Sequence, residues 1–473
     1  MNTLLEWART VVDFLSQMIF FYTVAIILIM LLLFVLAIKQ IRKTHLLDFE
    51  EPYDEHLRSE FTKPISILVP GKNEETGIVN TVRSLLTIDY PEFEIIVIND
   101  GSTDSTLQTM IEAFELKPIT SYYRKRLDSK PIRQVYQSKV YPHLFLMDKE
   151  SGGKADALNA GMNLAQYPFF CSLDADSIIE RTAFVKIMKP IIDSGDEIIA
   201  SGGSVRIAND CVIERGELKK VALSKNRIVV HQVIEYLRDF LFGRIGFGSR
   251  NLLLIVSGAF GVFSKEYCIN IGGYRTNTVG EDMDLVVRLH RYIKKNKLNK
   301  KIAYIPEPVC WTEAPETLSI LRKQRNRWYR GLFESLWHNK RMFLNPRYGK
   351  IGLISLPYYF FIELLGPLIE MIGYFIILLG PFLGGIYIQY SLALFCCILL
   401  LGSMLSMFSI LLEEWSFRRY EKIGDFVRLF ISSLLESFWY RPLMTFFRVE
   451  GFFQIIFRKK SWGDMKRKGV SQS

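Results

Sequence analysis

The chain has 473 residues, of which 49% are hydrophobic, and a formal net charge of +10. That length exceeds one small domain, and the apolar share together with a mean hydropathy of +0.15 excludes an ordinary soluble enzyme. The positive balance suits an anionic partner; with long apolar stretches present, that means lipid headgroups and a nucleotide diphosphate, not nucleic acid. The six cysteines show no C-x-x-C spacing, so neither a disulfide framework nor a zinc site is expected.

Segment 1–16 leads into residues 17–38, which carry no charge and are long enough to span a bilayer. Glu6 and Asp13 spoil the basic start that a signal peptide needs. Lys39, Arg42 and Lys43 follow directly, which places residue 39 onward on the cytosolic side, with 39–62 as a linker.

Residues 63–320 alternate β-branched runs with helical stretches. Ile65–Val69, Glu94–Ile98 and Phe169–Leu173 read as strands, each followed by polar or turn residues. This βαβ pattern predicts an open, mostly parallel sheet with ligands at the carboxyl ends of its strands. Gly243–Gly248 follows no clear strand and reads as a loop. Residues 321–350 read as a basic interfacial region. Residues 351–412 read as two membrane helices, one kinked near Pro367 and one ending before Glu413. The remainder, 413–473, is expected to hold interfacial or re-entrant helices with Arg441, Arg448, Arg458, Lys459 and Lys460 near headgroups, then a basic cytosolic tail.

Five clusters could carry chemistry. Asp174-Ala175-Asp176 follows an apolar strand; in extended backbone its carboxylates point to one side, as a hard divalent cation requires. An Asp-x-Asp is also a common turn. Asp100, in Asn99-Asp100-Gly101, stands at a strand end where it can accept hydrogen bonds from a nucleobase or ribose, and also where a helix cap belongs. Ser151-Gly152-Gly153-Lys154 opens a helix with backbone amides and a lysine suited to phosphate. Glu281-Asp282 begins a helix, where acids are favoured by the helix dipole; Asp282 could also serve as a general base, with Glu281 orienting the acceptor. In Gln324-Arg325-Asn326-Arg327-Trp328, Gln324 and Arg327 could reach a diphosphate and Trp328 could stack on a sugar. The plain alternative is an interfacial helix whose arginines face headgroups.

These clusters stand in the order Asp, Asp-x-Asp, Glu-Asp, Gln-x-x-Arg-Trp. The chain thereby resembles the membrane-embedded processive β-glycosyltransferases of glycosyltransferase family 2, among them the cellulose, chitin, hyaluronan and poly-N-acetylglucosamine synthases. Val69–Glu75 is similar to that family's opening strand and nucleotide loop, and Ser257–Gly261 to its acceptor-side loop. The resemblance covers about residues 60–340 and implies a GT-A domain between transmembrane helices, an inverting transfer from a UDP-sugar, and Mg2+ or Mn2+. By position it assigns the donor to Asn73, Glu74, Asp100, Lys154, Asp174, Gln324 and Arg327. It assigns the metal to Asp174 and Asp176, the base to Asp282 with Glu281, and the acceptor to Trp328, Ser257 and Gly258. The implied partners are a UDP-sugar, a polysaccharide acceptor, the bilayer, and a small membrane protein or a second copy of the chain. Size and layout point within the family to N-acetylglucosamine as the sugar. The alternatives are transfer of one sugar to a lipid-linked acceptor and a catalytically silent membrane scaffold.

Overall fold

The computed structural model describes residues 2–50, 62–120, 123–214, 217–383, 385–420 and 422–457. Its α/β part starts with β1 (Ile65–Gly71), whose Ile65, Ile67, Leu68 and Val69 are fully buried. Burial on both faces follows from helices covering both sides of the sheet. The helices α2 (Ile78–Leu85), α3 (Thr106–Ala113), α4 (Lys154–Leu164) and α5 (Ala183–Asp193) supply that cover. The further strands are β2 (Phe93–Asp100), β3 (Leu116–Ile119), β4 (Ile132–Ser138), β5 (Leu144–Lys149), β6 (Phe169–Leu173), β7 (Ile178–Ile179) and β8 (Ile198–Ile207). After the small ribbon of β9 (Val212–Glu214) and β10 (Glu217–Lys220) come β11 (Phe260–Ser264) and β12 (Lys301–Thr312).

The ten-stranded sheet has the order β3-β4-β5-β2-β1-β6-β11-β8-β12-β7. All three strands expected from sequence are present, and β1 pairs in parallel with both β2 and β6. The sheet is not mostly parallel, however. Four neighbouring pairs are parallel and five antiparallel. The parallel centre follows from helical crossovers; the meander β3-β4-β5, the reversed strand β11 and the short strand β7 against β12 produce the antiparallel contacts.

This topology gathers the site. Register pairs Gly71 with Asn99, Asn99 with Asp148 and Asp100 with Lys149, so their strand ends form one edge. Because β11 runs against β6, with Phe260 opposite Leu173, the loop before β11 reaches that same edge.

Outside the sheet, α1 spans Asn2–Glu50 as one helix, longer than the expected 17–38. No glycine or proline occurs before Pro52, so nothing breaks it at the ends of the apolar run. Most of the expected linker beyond residue 50 lies outside the described residues. Next come α6 (Arg227–Arg238), α7 (Glu281–Lys295) and α8 (Leu318–His338). Residues 239–248 are helical and continue α6, so Gly243–Gly248 is not the loop expected. Close approach explains two of its glycines: a β-carbon at Gly246 would lie 3.0 Å from the Leu33 carbonyl oxygen of α1, and one at Gly248 would lie 2.8 Å from the Tyr304 Cβ of β12.

Ile351–Leu364 forms irregular helical turns, and the chain breaks at Leu365 before α9 (Gly366–Leu383), beside the expected kink. Then α10 (Gly385–Ser416) runs past Glu413 instead of ending before it. It can do so because Glu413 is buried against Arg206 of β8, 2.6 Å away. The chain closes with α11 (Ile423–Leu435) and α12 (Tyr440–Ile456). Among the described residues two helical stretches are long and apolar enough to cross a membrane, Thr10–Thr44 and Ile351–Leu378. Arg441 and Arg448, expected at headgroups, instead reach Glu370 at 2.9 Å and Glu235 at 3.3 Å. Arg458, Lys459, Lys460 and the basic tail lie outside the described residues.

Candidate active site

Three loops meet at the carboxyl edge of the sheet. Asn73 accepts a hydrogen bond from the Thr103 amide at 2.8 Å, and the Glu74 amide donates to Thr106 Oγ1 at 2.9 Å. These bonds tie the β1 loop to the β2 loop. Lys72 Nζ donates to Ser151 Oγ at 3.0 Å, which ties both to the glycine loop.

Asp100 sits at the end of β2 as expected, but its carboxylate is buried and committed. It accepts from the amides of Gly152 at 2.9 Å and Gly153 at 2.8 Å, and from Lys149 Nζ at 2.7 Å. Its visible work is therefore to shape the glycine loop, not to face a nucleobase. Lys149 was missed in the sequence reading. It is fully buried and also pairs with Asp156 at 2.7 Å, so one ammonium is matched by two carboxylates. A lysine flanked by Asp148 and Glu150 at the end of the apolar run 144–147 was the available signal.

The loop delivers Lys154 at the first turn of α4. Lys154 Nζ donates to Asp174 Oδ1 and, at 2.9 Å, to the Gly258 carbonyl. Burial alone would lower the pKa of Lys154; the carboxylates of Asp174, Glu281 and Asp282 outweigh it and hold the group charged. Asp174-Ala175-Asp176 does not lie in extended backbone. Strand β6 ends at Leu173, and the pair occupies the turn into β7, so strand alternation does not align it. Thr81 Oγ1 fixes that turn by donating to the Ala175 carbonyl at 2.5 Å. Both Asp176 oxygens are shielded from solvent. Among the described residues no group of three or more His, Cys, Asp or Glu side chains converges. Two hard carboxylates with further positions left to phosphate and water fit a magnesium-type ion, which keeps few protein ligands.

On the other side stands the start of α7. A β-carbon at Gly258 would be 3.2 Å from Asp282 Oδ2 and 3.2 Å from Lys154 Nζ, so base candidate, lysine and loop are in contact range. They line one cavity with Ser257, Tyr274 and Glu281. Burial pushes the Glu281 carboxyl up to about 6; Lys154 opposes the rise and neighbouring Asp282 adds to it. Asp284, the third acid of the run, is structural: it is buried between Arg275 at 2.9 Å and Arg288 at 2.7 Å.

The Gln324–Trp328 stretch lies on α8, and α8 packs directly on the turn before α7. A β-carbon at Gly331 would come 2.8 Å from the Gly280 Cα, so the two backbones touch only because both residues are glycine. Glu334 accepts from the Val279 amide at 2.9 Å and Asn339 donates to Asp284 at 3.1 Å. Arg327 is close enough to Glu281 that its charge bears on that carboxyl. Gln324 Oε1 is shielded and makes no hydrogen bond among the described residues. Trp328 is 42% exposed. The reading of α8 as an interfacial helix with outward arginines is corrected. Arg325 is buried, 2.7 Å from Glu235 and stacked 4.4 Å from the Trp328 ring. Arg322 grips Glu450 of α12 through two 2.6 Å bonds. Glu235 carried no local signal, because its partner is 90 residues away.

An α/β sheet with this edge, two acids in a turn after one strand and an acid pair opening a facing helix, defines a glycosyltransferase domain of the GT-A kind. Residues 143–331 match the family described as "Glycosyltransferase like family 2", and residues 66–135 match "Glycosyl transferase family 2". The α/β domain of the chain belongs to glycosyltransferase family 2.

Among curated relatives, the chain is similar to a poly-beta-1,6-N-acetyl-D-glucosamine synthase of Staphylococcus epidermidis, 30% identical over 272 residues. The match covers 58% of this chain and 55% of the relative. A synthase of the same name from Staphylococcus aureus strain COL is 30% identical over 278 residues, covering 58% of this chain and 55% of the relative. The chain thus spans little more than half the length of these relatives. Among solved structures, a mannosyltransferase of Pyrobaculum calidifontis in complex with GDP-Man and Mn2+ is 16% identical. It covers 86% of this chain and 99% of its own, with a TM-score of 0.47. Staphylococcus aureus TarS 1-349 in complex with UDP-GlcNAc is 17% identical, covering 78% and 91%, with a TM-score of 0.39.

Proposed function

We propose that the chain transfers N-acetylglucosamine, with inversion, from its UDP-linked donor to the end of a growing β-linked polysaccharide at a membrane. The observation that carries this reading is the convergence of Lys154, Gly258 and Glu281-Asp282 on one cavity at the sheet edge, with Asp174 bonded to Lys154. The choice of sugar is supported by the similarity to the two poly-beta-1,6-N-acetyl-D-glucosamine synthases. The membrane setting is supported by the two apolar helical stretches and by Lys39, Arg42 and Lys43 near the end of the first. The basic flank supports a cytosolic position for the domain.

In this reading Asp282 removes the proton of the acceptor hydroxyl as that oxygen bonds to the anomeric carbon. The bond from this carbon to the diphosphate oxygen breaks, and UDP leaves. Glu281 orients the acceptor, and Ser257 and Gly258 border its path. Lys154 and Arg327 offset charge on the departing diphosphate, and the Gln324 amide donates a hydrogen bond to it. Asn73 and Glu74 border the nucleotide, with Asp100 holding the loop that carries Lys154. Asp174 and Asp176 would hold Mg2+ or Mn2+, which when bound neutralises diphosphate charge. Trp328 offers its exposed face to the sugar already added, and successive transfers without release give a processive synthase.

Asp282→Asn keeps the shape of the site and removes the base. Donor affinity is expected to stay close to wild type while UDP release falls about 100-fold or more. Turnover at the wild-type rate would refute the assignment of the base.

A further inference from the structure

A second cavity lies far from the sheet edge, between α1 and α10. Phe34, Ile38, Phe408, Leu411 and Leu412 line it, with Arg42 and Trp415 at one end. Its volume is about 230 Å³. Phe34 and Phe408 stack at 5.2 Å and form its floor. At the mouth the Arg42 guanidinium stands 5.7 Å from the centre of the Trp415 ring.

Two features give this groove a direction. Its walls are hydrocarbon and aromatic, and its end is cationic. Arg42 is exposed and makes no side-chain hydrogen bond or ion pair among the described residues, unlike Arg206, Arg238, Arg325, Arg441 and Arg448. Arg42 also lies two residues from the end of the apolar stretch Thr10–Thr44. A tryptophan and an arginine at that level match a membrane boundary, where an aromatic ring and a guanidinium face the headgroup layer. An uncompensated cation above an apolar groove is complementary to a molecule with an anionic head and a hydrocarbon tail.

We propose that this groove binds one anionic phospholipid, its phosphate received by Arg42 and its acyl chain laid over Phe34, Ile38, Phe408 and Leu412. The site goes beyond the transferase reading and rests only on its membrane setting. No residue of the candidate active site takes part. Loss of lipid binding would leave the transfer reading intact, and loss of transfer in Asp282→Asn would leave the groove intact.

The test uses the full chain purified in mild detergent. Native mass spectrometry measures retention of phosphatidylglycerol and of phosphatidylcholine with matched acyl chains. Wild type is expected to retain phosphatidylglycerol about tenfold better, because the choline ammonium of phosphatidylcholine offsets the phosphate charge that Arg42 meets. Arg42→Gln is expected to erase that preference. Leu412→Trp fills the groove and is expected to lower retention of both lipids, with circular dichroism confirming that the variant is folded. Equal retention of the two lipids by wild type would overturn the proposal. So would an undiminished preference in Arg42→Gln. Full displacement of the lipid by glycerol 3-phosphate alone would mark a plain anion site and overturn the acyl-chain part.

Discussion

At the scale of single residues, the site turns on how each carboxylate is surrounded. Glu281 is the one whose titration is displaced most visibly, to about 6, because burial disfavours its charge. If the ionised form orients the acceptor, transfer falls as pH drops through about 6. The acidic limb of kcat/KM is expected there and is expected to move in Glu281→Gln. Stability changes in the opposite sense. The folded pKa lies above the ordinary 4.5, so the stabilising contribution of the protonated form is present below about 4.5 and lost as pH rises through about 6. Urea unfolding of the wild type between those values should show this slope, and Glu281→Gln should lack it. Asp174 and Asp176 carry the second expectation: EDTA stops UDP release and Mg2+ or Mn2+ restores it. Full activity under chelation would remove the metal from the account. These acids were legible in the sequence because each follows an apolar run or opens a helix. Lys149 was not, since a lysine matched by Asp100 and Asp156 is created by strand register. For the same reason Asp100 looked free to meet a ligand when its oxygens are in fact taken by Gly152 and Gly153.

At the scale of elements, α8 links the donor side to the acid pair. Its Arg327 bears on Glu281, while Gly331 and Glu334 pin the turn before α7. Gly331→Val would place new atoms where Gly280 already lies and push the start of α7 away. Displacement of that order, about 1 Å, is expected to cost about 100-fold in turnover with far less effect on stability of the sheet. Unchanged turnover would show that the contact does not position the acids. Glu235→Ala leaves Arg325 buried without its carboxylate and is expected to cost about 3–5 kcal/mol in unfolding experiments. Strands β1, β2 and β6 were readable from apolar runs that end in polar turns. The helical state of Gly243–Gly248 was not, because Gly246 serves contact with α1 and Gly248 contact with Tyr304 of β12. The outward arginines of α8 misled for a related reason: periodicity shows a face, while only the fold shows that α12 and Glu235 cover it.

At the scale of the whole molecule, two groups of helices meet the α/β domain through buried ion pairs. Arg206–Glu413 joins the sheet to α10, and Arg238–Glu436 joins α6 to the turn before α12. Such pairs fix geometry more than they add stability. They hold α10 and the turn before α12 in place against the α/β domain and α6. The order of motifs in the sequence carried the family and the α/β class. It could not carry the reversed strand β11, whose direction brings Ser257 and Gly258 to the same edge as Asp174. The most direct measurement incubates membranes holding the chain with each UDP-sugar in turn, recording UDP release and product length. The account predicts release with UDP-N-acetylglucosamine, a long polymer, and neither in Asp282→Asn. Release with a different donor alone, or a product one sugar longer than its acceptor, would contradict it.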